Sequence, residues 1–255
     1  MKIIEFSDPA AIVEDPDRVV ALRNEILEGS LVIGREAIAP DLAAGLVSYL
    51  KQVGRNSLPT YASIEIGQPN FHRLNKADER SYVEGCFHQF AFYPWNQDVF
   101  DLFAVTQDLY RLKSALSGMP PDMYLGREGH DGIVPRIAVQ FYPSGGGYLN
   151  RHLDPVGAHQ LAIPIVPLST KGLDFDDGGL YVEDSEGRRS DVDDLIGPGD
   201  AAFVDARTIH GVDPIDPEAD LDWLSFRGRW SMLIATNKVA GNDDVTDAED
   251  LGGGR

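Results

Sequence analysis

The 255-residue sequence predicts a mainly β protein with flanking helices, in the form of a sandwich or barrel, and three observations carry that prediction. From Arg136 onward, short β-type runs follow one another at close spacing: RIAVQFY, HQLAIPIVPL, GGLYVED, DAAFVDA and RWSMLIAT. The turns between them (SGGG, DFDDGG, EDSEG and GPGD) are rich in Gly, Asp and Pro. The first half instead carries apolar residues at helical spacing.

Taken in order, Asp15 to Leu27 reads as a helix with Val19, Val20, Leu22, Ile26 and Leu27 on one face. Ser30 to Ile38 is a short β-rich run closed by Ala39 and Pro40. Asp41 to Val53 is a second helix, with Pro40 suited to its first turn, Leu42, Leu46, Val47 and Leu50 at helical spacing, and Gly54 as its stop. Cys86 to Trp95 alternates well enough for a strand, and Asn96 to Ser117 returns to helical spacing before Gly118. The acidic segment from Gly241 to Arg255, GNDDVTDAEDLGGGR, has almost no large apolar groups and is expected to be disordered.

Composition narrows the classes. The length suits one large domain or two small ones. With a single cysteine, Cys86, no intrachain disulfide can form, which fits a reducing cytoplasm. No stretch has the length of a signal peptide or membrane span, so a soluble cytoplasmic protein without a membrane partner is expected. The net charge of −19 would repel a phosphate backbone and disfavours nucleic acid as a partner. The same acidity fits either a cationic substrate or plain solubility in a salt-tolerant host.

Chemistry concentrates in QFYPSGGGYLNRHLD, residues 140–154. On a strand, His152 and Asp154 point the same way, which two adjacent ligands of one metal require. A distant second histidine would complete a two-histidine, one-carboxylate triad with open positions on Fe(II). His210, which opens HGVDPI after a full set of strands, is a better partner than His159, which lies at a chain turn only five residues past Asp154. In RWS, Arg229 and Ser231 share one strand face while Trp230 and Met232 take the other. An arginine fork and a hydroxyl suit a carboxylate, although an arginine paired with one of many surface acids explains Arg229 alone. His72 and His88 have no ligand partner at suitable spacing and read as packing or hydrogen-bonding residues. The glycines at 145–147 read as a turn that delivers the ligand strand.

Together these parts resemble the Fe(II)- and 2-oxoglutarate-dependent oxygenases, most closely the prolyl-hydroxylase-like branch. The resemblance runs from Ala138 to Lys238 through FYPSGGGYLNRHLD, GGLYVED, GDAAFVDARTIHGVDPI and GRWSMLIAT. It implies a double-stranded β-helix, the jelly roll of cupin-like proteins, with Fe(II) on His152, Asp154 and His210. It further implies 2-oxoglutarate held by Arg229 and Ser231 with Tyr142 nearby, and O2 as co-substrate. One oxygenase domain would then span 1–240, with 1–135 as a supporting, substrate-shaping half and 136–240 as the metal-binding core. The insertion DPEADLDWLSFRG lengthens the link from His210 to Arg229 and makes Arg227 a competitor for the clamp. The apolar IPIVPL stands where prolyl hydroxylases often place another tyrosine for the co-substrate.

The implied reaction is hydroxylation of an unactivated C–H bond, or a related desaturation or cyclisation, with release of succinate and CO2. Asp154 fills the position that halogenating relatives leave small for chloride. Ala235 stands where nucleic-acid demethylases usually carry a second arginine. A small-molecule substrate such as an amino acid or biosynthetic intermediate is favoured. A protein side-chain (prolyl-type) hydroxylase is the alternative, followed by a non-enzymatic jelly-roll binding protein. Phe87, Phe90, Phe92, Tyr93 and Trp95 fit either core or pocket. The piece Asn70 to Arg73, NFHR, fits either contact with an anionic substrate group or a surface loop.

Overall fold

The structure, a computed structural model, describes residues 1–126, 129–155 and 157–252. In chain order the first half holds β1 (Ile3–Phe6), α1 (Pro9–Val13), α2 (Pro16–Leu27), β2 (Leu31–Gly34), α3 (Pro40–Asn56), β3 (Phe71–Lys76), β4 (Gly85–Phe92), α4 (Leu102–Val105) and α5 (Gln107–Leu116). The second half holds β5 (Ile133–Pro143), β6 (Gly147–Leu153), β7 (Ala162–Pro167), β8 (Gly179–Glu183), β9 (Arg189–Asp191), β10 (Ala201–Asp205), β11 (His210–Ile215), β12 (Gly228–Lys238) and β13 (Glu249–Asp250).

The strands form one sheet in the order β1-β2-β10-β7-β12-β5-β4-β6-β11-β8-β9, with β3 added to β4 and β13 to β6. Leu180 and Val182 of β8 pack with Ile163 and Ile165 of β7 and Val204 of β10. Because β8 lies six strands from β7 along the sheet, that contact requires the sheet to curl over on itself, as a jelly roll does. The anticipated mainly β, cupin-like architecture is therefore present.

Alternation along the long strands sorts chemistry from packing. Trp230, Met232 and Ile234 of β12, with Ile137, Val139 and Phe141 of β5 and Phe90 and Phe92 of β4, pack with Leu46 and Leu50 of α3 and Leu109, Leu112 and Leu116 of α5. Burying each such side chain stabilises by roughly 1.5–3 kcal/mol, so this layer fixes the sheet against the helices. The opposite face carries Arg229, Ser231 and Leu233 of β12 opposite Tyr142, Gln140 and Ala138 of β5.

Several local expectations shift. The helix from Asp15 is capped by the Asp15 carboxylate, which accepts from Arg18 N at 3.2 Å. Gly54 does not stop the second helix, which runs on to Asn56. A Cβ at Gly54 would lie 2.7 Å from the Phe226 ring, so this glycine serves close packing. The helix anticipated over Asn96 to Ser117 is split into α4 and α5 at Thr106, and its first residues instead fold around the Asp98 carboxylate, which accepts from Phe100 N at 2.9 Å. Phe71 to Lys76 is a strand paired with β4.

The acidic segment after Gly241 is ordered through Leu251 and Gly252, against the expectation of disorder; residues 253–255 lie outside the described residues. Glu249 and Asp250 pair with Leu153 and His152 of β6. The Asp250 carboxylate accepts from Glu84 N at 2.8 Å, and Asp247 pairs with Lys238 at 2.8 Å. These specific bonds supply what the missing apolar groups cannot.

Two positions give stability tests. Gly145 has φ +89°, and a Cβ there would collide with the backbone nitrogen of Leu221, whereas at Gly146, φ +112°, nothing lies within 4 Å. Gly145→Ala should lower stability by more than Gly146→Ala, which carries only the backbone strain of about 1–3 kcal/mol; urea midpoints of the two variants decide. Lys113 of α5 is buried, its ammonium donating to Thr236 Oγ1 at 3.0 Å, and burial lowers its pKa to about 7 against 10.5 ordinarily. Between about pH 7 and 10.5 the unfolded chain holds a proton that the folded chain has lost, so stability rises with pH. Relative to Lys113→Met, which should be the more stable at neutral pH, the wild type should gain up to about 1.4 kcal/mol per pH unit in that window. Urea unfolding of both at neutral pH and about pH 9 should show the gap narrowing.

Candidate metal centre

The pairing of β6 with β11 places His152 directly opposite His210. Their rings lie 4.2 Å apart between centroids, and both residues are buried. Asp154 follows the end of β6, tied by its backbone N–H to Ala206 O at 3.1 Å. Its carboxylate lies 3.3 Å from His210 Nε2 and 3.8 Å from His152 Nε2. One ligand atom from each of the three residues lies within 4.8 Å of the others, a separation that a single ion can bridge.

A register shift makes this arrangement. Val212 opposes Leu149, yet His210 opposes His152, so β6 carries one extra residue between the two pairs. Such a bulge re-aims the side chains beyond it. Leu149 and His152 consequently face the same cavity although they are three residues apart. The i, i+2 rule anticipates that His152 and Asp154 meet, although Asp154 lies just past the strand end, and is silent about the bulge.

Hydrogen bonds set the histidine tautomers. His152 Nδ1 donates to Asn150 O at 2.8 Å, and His210 Nδ1 donates to Thr208 O at 2.8 Å. Each carbonyl fixes the proton on Nδ1 and leaves the Nε2 lone pair for a cation. Burial alone would raise the Asp154 carboxyl, but His210, His152 and Lys113 outweigh it and hold it below the usual range. Burial lowers His210, but the charge and hydrogen bond of Asp154 more than offset this and raise it. Burial and the nearby His210 push His152 down to about 4.

Arg229 is fully buried on β12 and opposite Tyr142. Its Nε donates to Asp193 Oδ2 at 2.6 Å, its Nη2 to Asp193 Oδ1 at 3.0 Å, and its Nη1 to Ser231 Oγ at 2.9 Å. Three of the five N–H donors of a guanidinium are thereby used, leaving one on each terminal nitrogen, a pair suited to one carboxylate. Asp193 also accepts from Leu180 N at 2.7 Å, so the fork is held rigidly. Arg227, the competitor, is exposed and paired with Asp176 at 2.9 Å, away from this pocket. Asp193 is a component that sequence reasoning missed, because DVDD looks like any acidic turn.

His152 and Asp154 open onto a cavity of about 520 Å³. Gln140 lines it, opposite Ser231, and its Oε1 accepts from the Tyr142 hydroxyl at 2.7 Å. Tyr142, one inward position further along, is buried beside Arg229, and burial raises its phenol well above the usual range, so it stays neutral. His72 and His88 lie elsewhere, bonded to each other at 2.8 Å and stacked on Phe90, as packing residues should be. The aromatic run divides by parity: Phe87 lines the cavity, while Phe90 and Phe92 belong to the helix-facing core. Arg73, from NFHR, lies in the cavity wall with Arg136.

No family model matches the sequence, and no curated protein matches it significantly. Solved structures do. A Pseudomonas putida prolyl-4-hydroxylase is 16% identical, with 84% of this chain and 96% of that one covered at TM-score 0.52. A full-length Neurospora crassa protein, solved in complex with alpha-KG and thymine, is 11% identical, with 94% and 85% covered at TM-score 0.55. SnoN, a non-heme alpha-ketoglutarate-dependent epimerase from nogalamycin biosynthesis, is 12% identical, with 94% and 98% covered at TM-score 0.52. At such identities the likeness is one of architecture: this chain shares the fold of these structures, among them a prolyl-4-hydroxylase and proteins that bind or depend on alpha-ketoglutarate.

Proposed function

We propose that this protein is an Fe(II)- and 2-oxoglutarate-dependent dioxygenase that hydroxylates an unactivated C–H bond of a small molecule. The observation that carries the reading is the convergence of His152, Asp154 and His210, with both Nδ1 protons tied to backbone carbonyls. Two neutral imidazoles and one carboxylate are a donor set that suits Fe(II) and leaves coordination positions open. When bound, iron with 2-oxoglutarate and O2 supplies oxidative decarboxylation to succinate and CO2, coupled to insertion of one oxygen atom into a C–H bond.

The residues divide the remaining work. His152 Nε2, His210 Nε2 and an Asp154 oxygen would hold the metal. Arg229, with its two remaining N–H donors, and Ser231 would hold the distal carboxylate of 2-oxoglutarate, and neutral Tyr142 would close that side. Asp193 orients the fork and offsets part of its charge, so recognition rests on directed hydrogen bonds more than on net charge. Apolar walls such as Phe87 and Leu233 exclude water from the reacting centre. A cavity of about 520 Å³ has the size of a small-molecule site and supports that substrate class. The likeness to a prolyl-4-hydroxylase keeps protein side-chain hydroxylation as the second reading.

Anaerobic protein given Fe(II) and 2-oxoglutarate should develop a weak visible charge-transfer band that Asp154→Ala and His210→Ala abolish; a wild type without the band would refute the reading. Arg229→Ala should weaken 2-oxoglutarate binding about tenfold or more while iron still binds, whereas Arg227→Ala should change neither. A proton taken up at His210 Nε2, facing Asp154 at 3.3 Å, is held more tightly than usual, and a metal at that nitrogen must displace it. Fe(II) affinity should therefore fall as pH drops through and below neutrality, measured by competition with a chelator. Incubation with a metabolite extract and with a protein fraction separates the two substrate readings, by succinate formed and products gaining one oxygen.

A further inference from the structure

Arg73 on β3 and Arg136 on β5 line the same cavity as His152 and Asp154. Arg73 lies opposite Gln89, Gln89 lies opposite Gln140, and Arg136 is two inward positions from Gln140 along β5. The Nε of each arginine is buried without a hydrogen-bond partner. Among the described residues neither makes an ion pair, whereas Arg35, Arg80, Arg151 and Arg229 each hold a carboxylate. The chain has 41 acidic residues against 22 Lys and Arg, so partners are abundant, yet among the described residues none lies within ion-pair distance of these two.

Both residues are half-buried, and holding a charge even partly out of water without a counter-ion is costly. Burial and the neighbouring Arg136 both act to lower the Arg73 pKa, and burial lowers that of Arg136. Guanidinium groups nevertheless stay protonated in proteins, so the two positive charges persist in the wall. The surroundings suit an incoming anion. Tyr61 lies under Arg73 at 5.2 Å, and the buried Tyr93 hydroxyl has no hydrogen-bond partner among the described residues and remains a neutral donor, its pKa raised to about 12 by burial. Asp154 acts on Arg136 through its charge but forms no ion pair with it and faces His210 and His152, while the other nearby acids are engaged or peripheral: Asp78 is bound by Arg80, Asp247 by Lys238, and Asp243 is exposed at the rim.

We propose that Arg73 and Arg136 form an anion subsite that binds an oxyanion of the substrate, a carboxylate or a phosphate, in the cavity onto which His152 and Asp154 open. The proposal names the substrate class of the dioxygenase reading and rests on it for the word substrate. The subsite is separate from the Arg229 clamp, whose charge Asp193 already meets.

The test uses the full chain without iron or 2-oxoglutarate, so its result is independent of the dioxygenase reading. Wild-type protein is titrated calorimetrically with benzoate, with inorganic phosphate and with neutral benzamide at constant ionic strength. Saturable binding of benzoate or phosphate, with none of benzamide, is expected, and whichever anion binds more tightly identifies the group. Arg73→Gln and Arg136→Gln should each weaken that binding about tenfold or more, and Arg136→Lys should retain more of it than Arg136→Gln. Arg136→Met should melt no lower than the wild type, because its charge has no ion-pair partner among the described residues. The Fe(II) and 2-oxoglutarate band, where the wild type shows it, should survive in both Gln variants. No anion binding by the wild type, equal binding by the Gln variants, or loss of the band in them would each overturn the proposal, the last by assigning the arginines to the co-substrate.

Discussion

The site depends on one piece of backbone pairing, that of β6 with β11. Strand neighbours lie close enough for side chains to meet only when the register is right, and here the register changes once so that His210 faces His152. Without the extra residue in β6, Leu149 and His152 would point to opposite sides of the sheet. The bulge thus makes neighbours on one surface of an apolar wall residue, Leu149, and a histidine of the candidate metal centre, His152. Its position is stabilised from outside as well, since Arg151, within the bulge, pairs with Glu183 at 2.8 Å.

The arginines of the inner face, Arg229 buried and Arg73 and Arg136 half-buried, live under different electrostatic conditions. Arg229 sits in a rigid bidentate pair with Asp193 and keeps directional donors with its charge largely met. Arg73 and Arg136 keep their charge and lack such a partner among the described residues. The first environment favours a ligand of defined shape; the second favours any ligand that brings negative charge. Both are built from the same alternation, because the inward positions of β3, β5 and β12 carry polar groups while their outward positions feed the core.

Much of the architecture was legible in the sequence. Gly- and Asp-rich turns punctuate the second half so regularly that five β-type runs there coincide with β5, β7, β8, β10 and β12. His152, Asp154 and His210 could be picked out because ligand chemistry restricts residue type and spacing, and the structure brings the three together. What stayed hidden depends on contacts distant in sequence. Gly54 looked like a helix stop because nothing local shows Phe226 against it. Asp193 was one acid among many, and Arg136 one residue of an ordinary strand. The acidic C-terminal segment reads as disordered because its ordering bonds, to Glu84 and Lys238, are made to other elements and leave no local mark.

That C-terminal segment also supplies cavity wall. Asn242, Asp247 and Ala248 face the same space as His152 before Glu249 and Asp250 close on β6. The candidate metal-binding residues come from β6, the loop after it and β11, whereas residues 242, 247 and 248, which are not among them, supply part of the cavity boundary. Such a division makes the molecule modular in evolutionary terms. Substitutions or length changes in residues 240–248 can reshape what the pocket admits while the strands that fix the ligands remain under their own separate constraints.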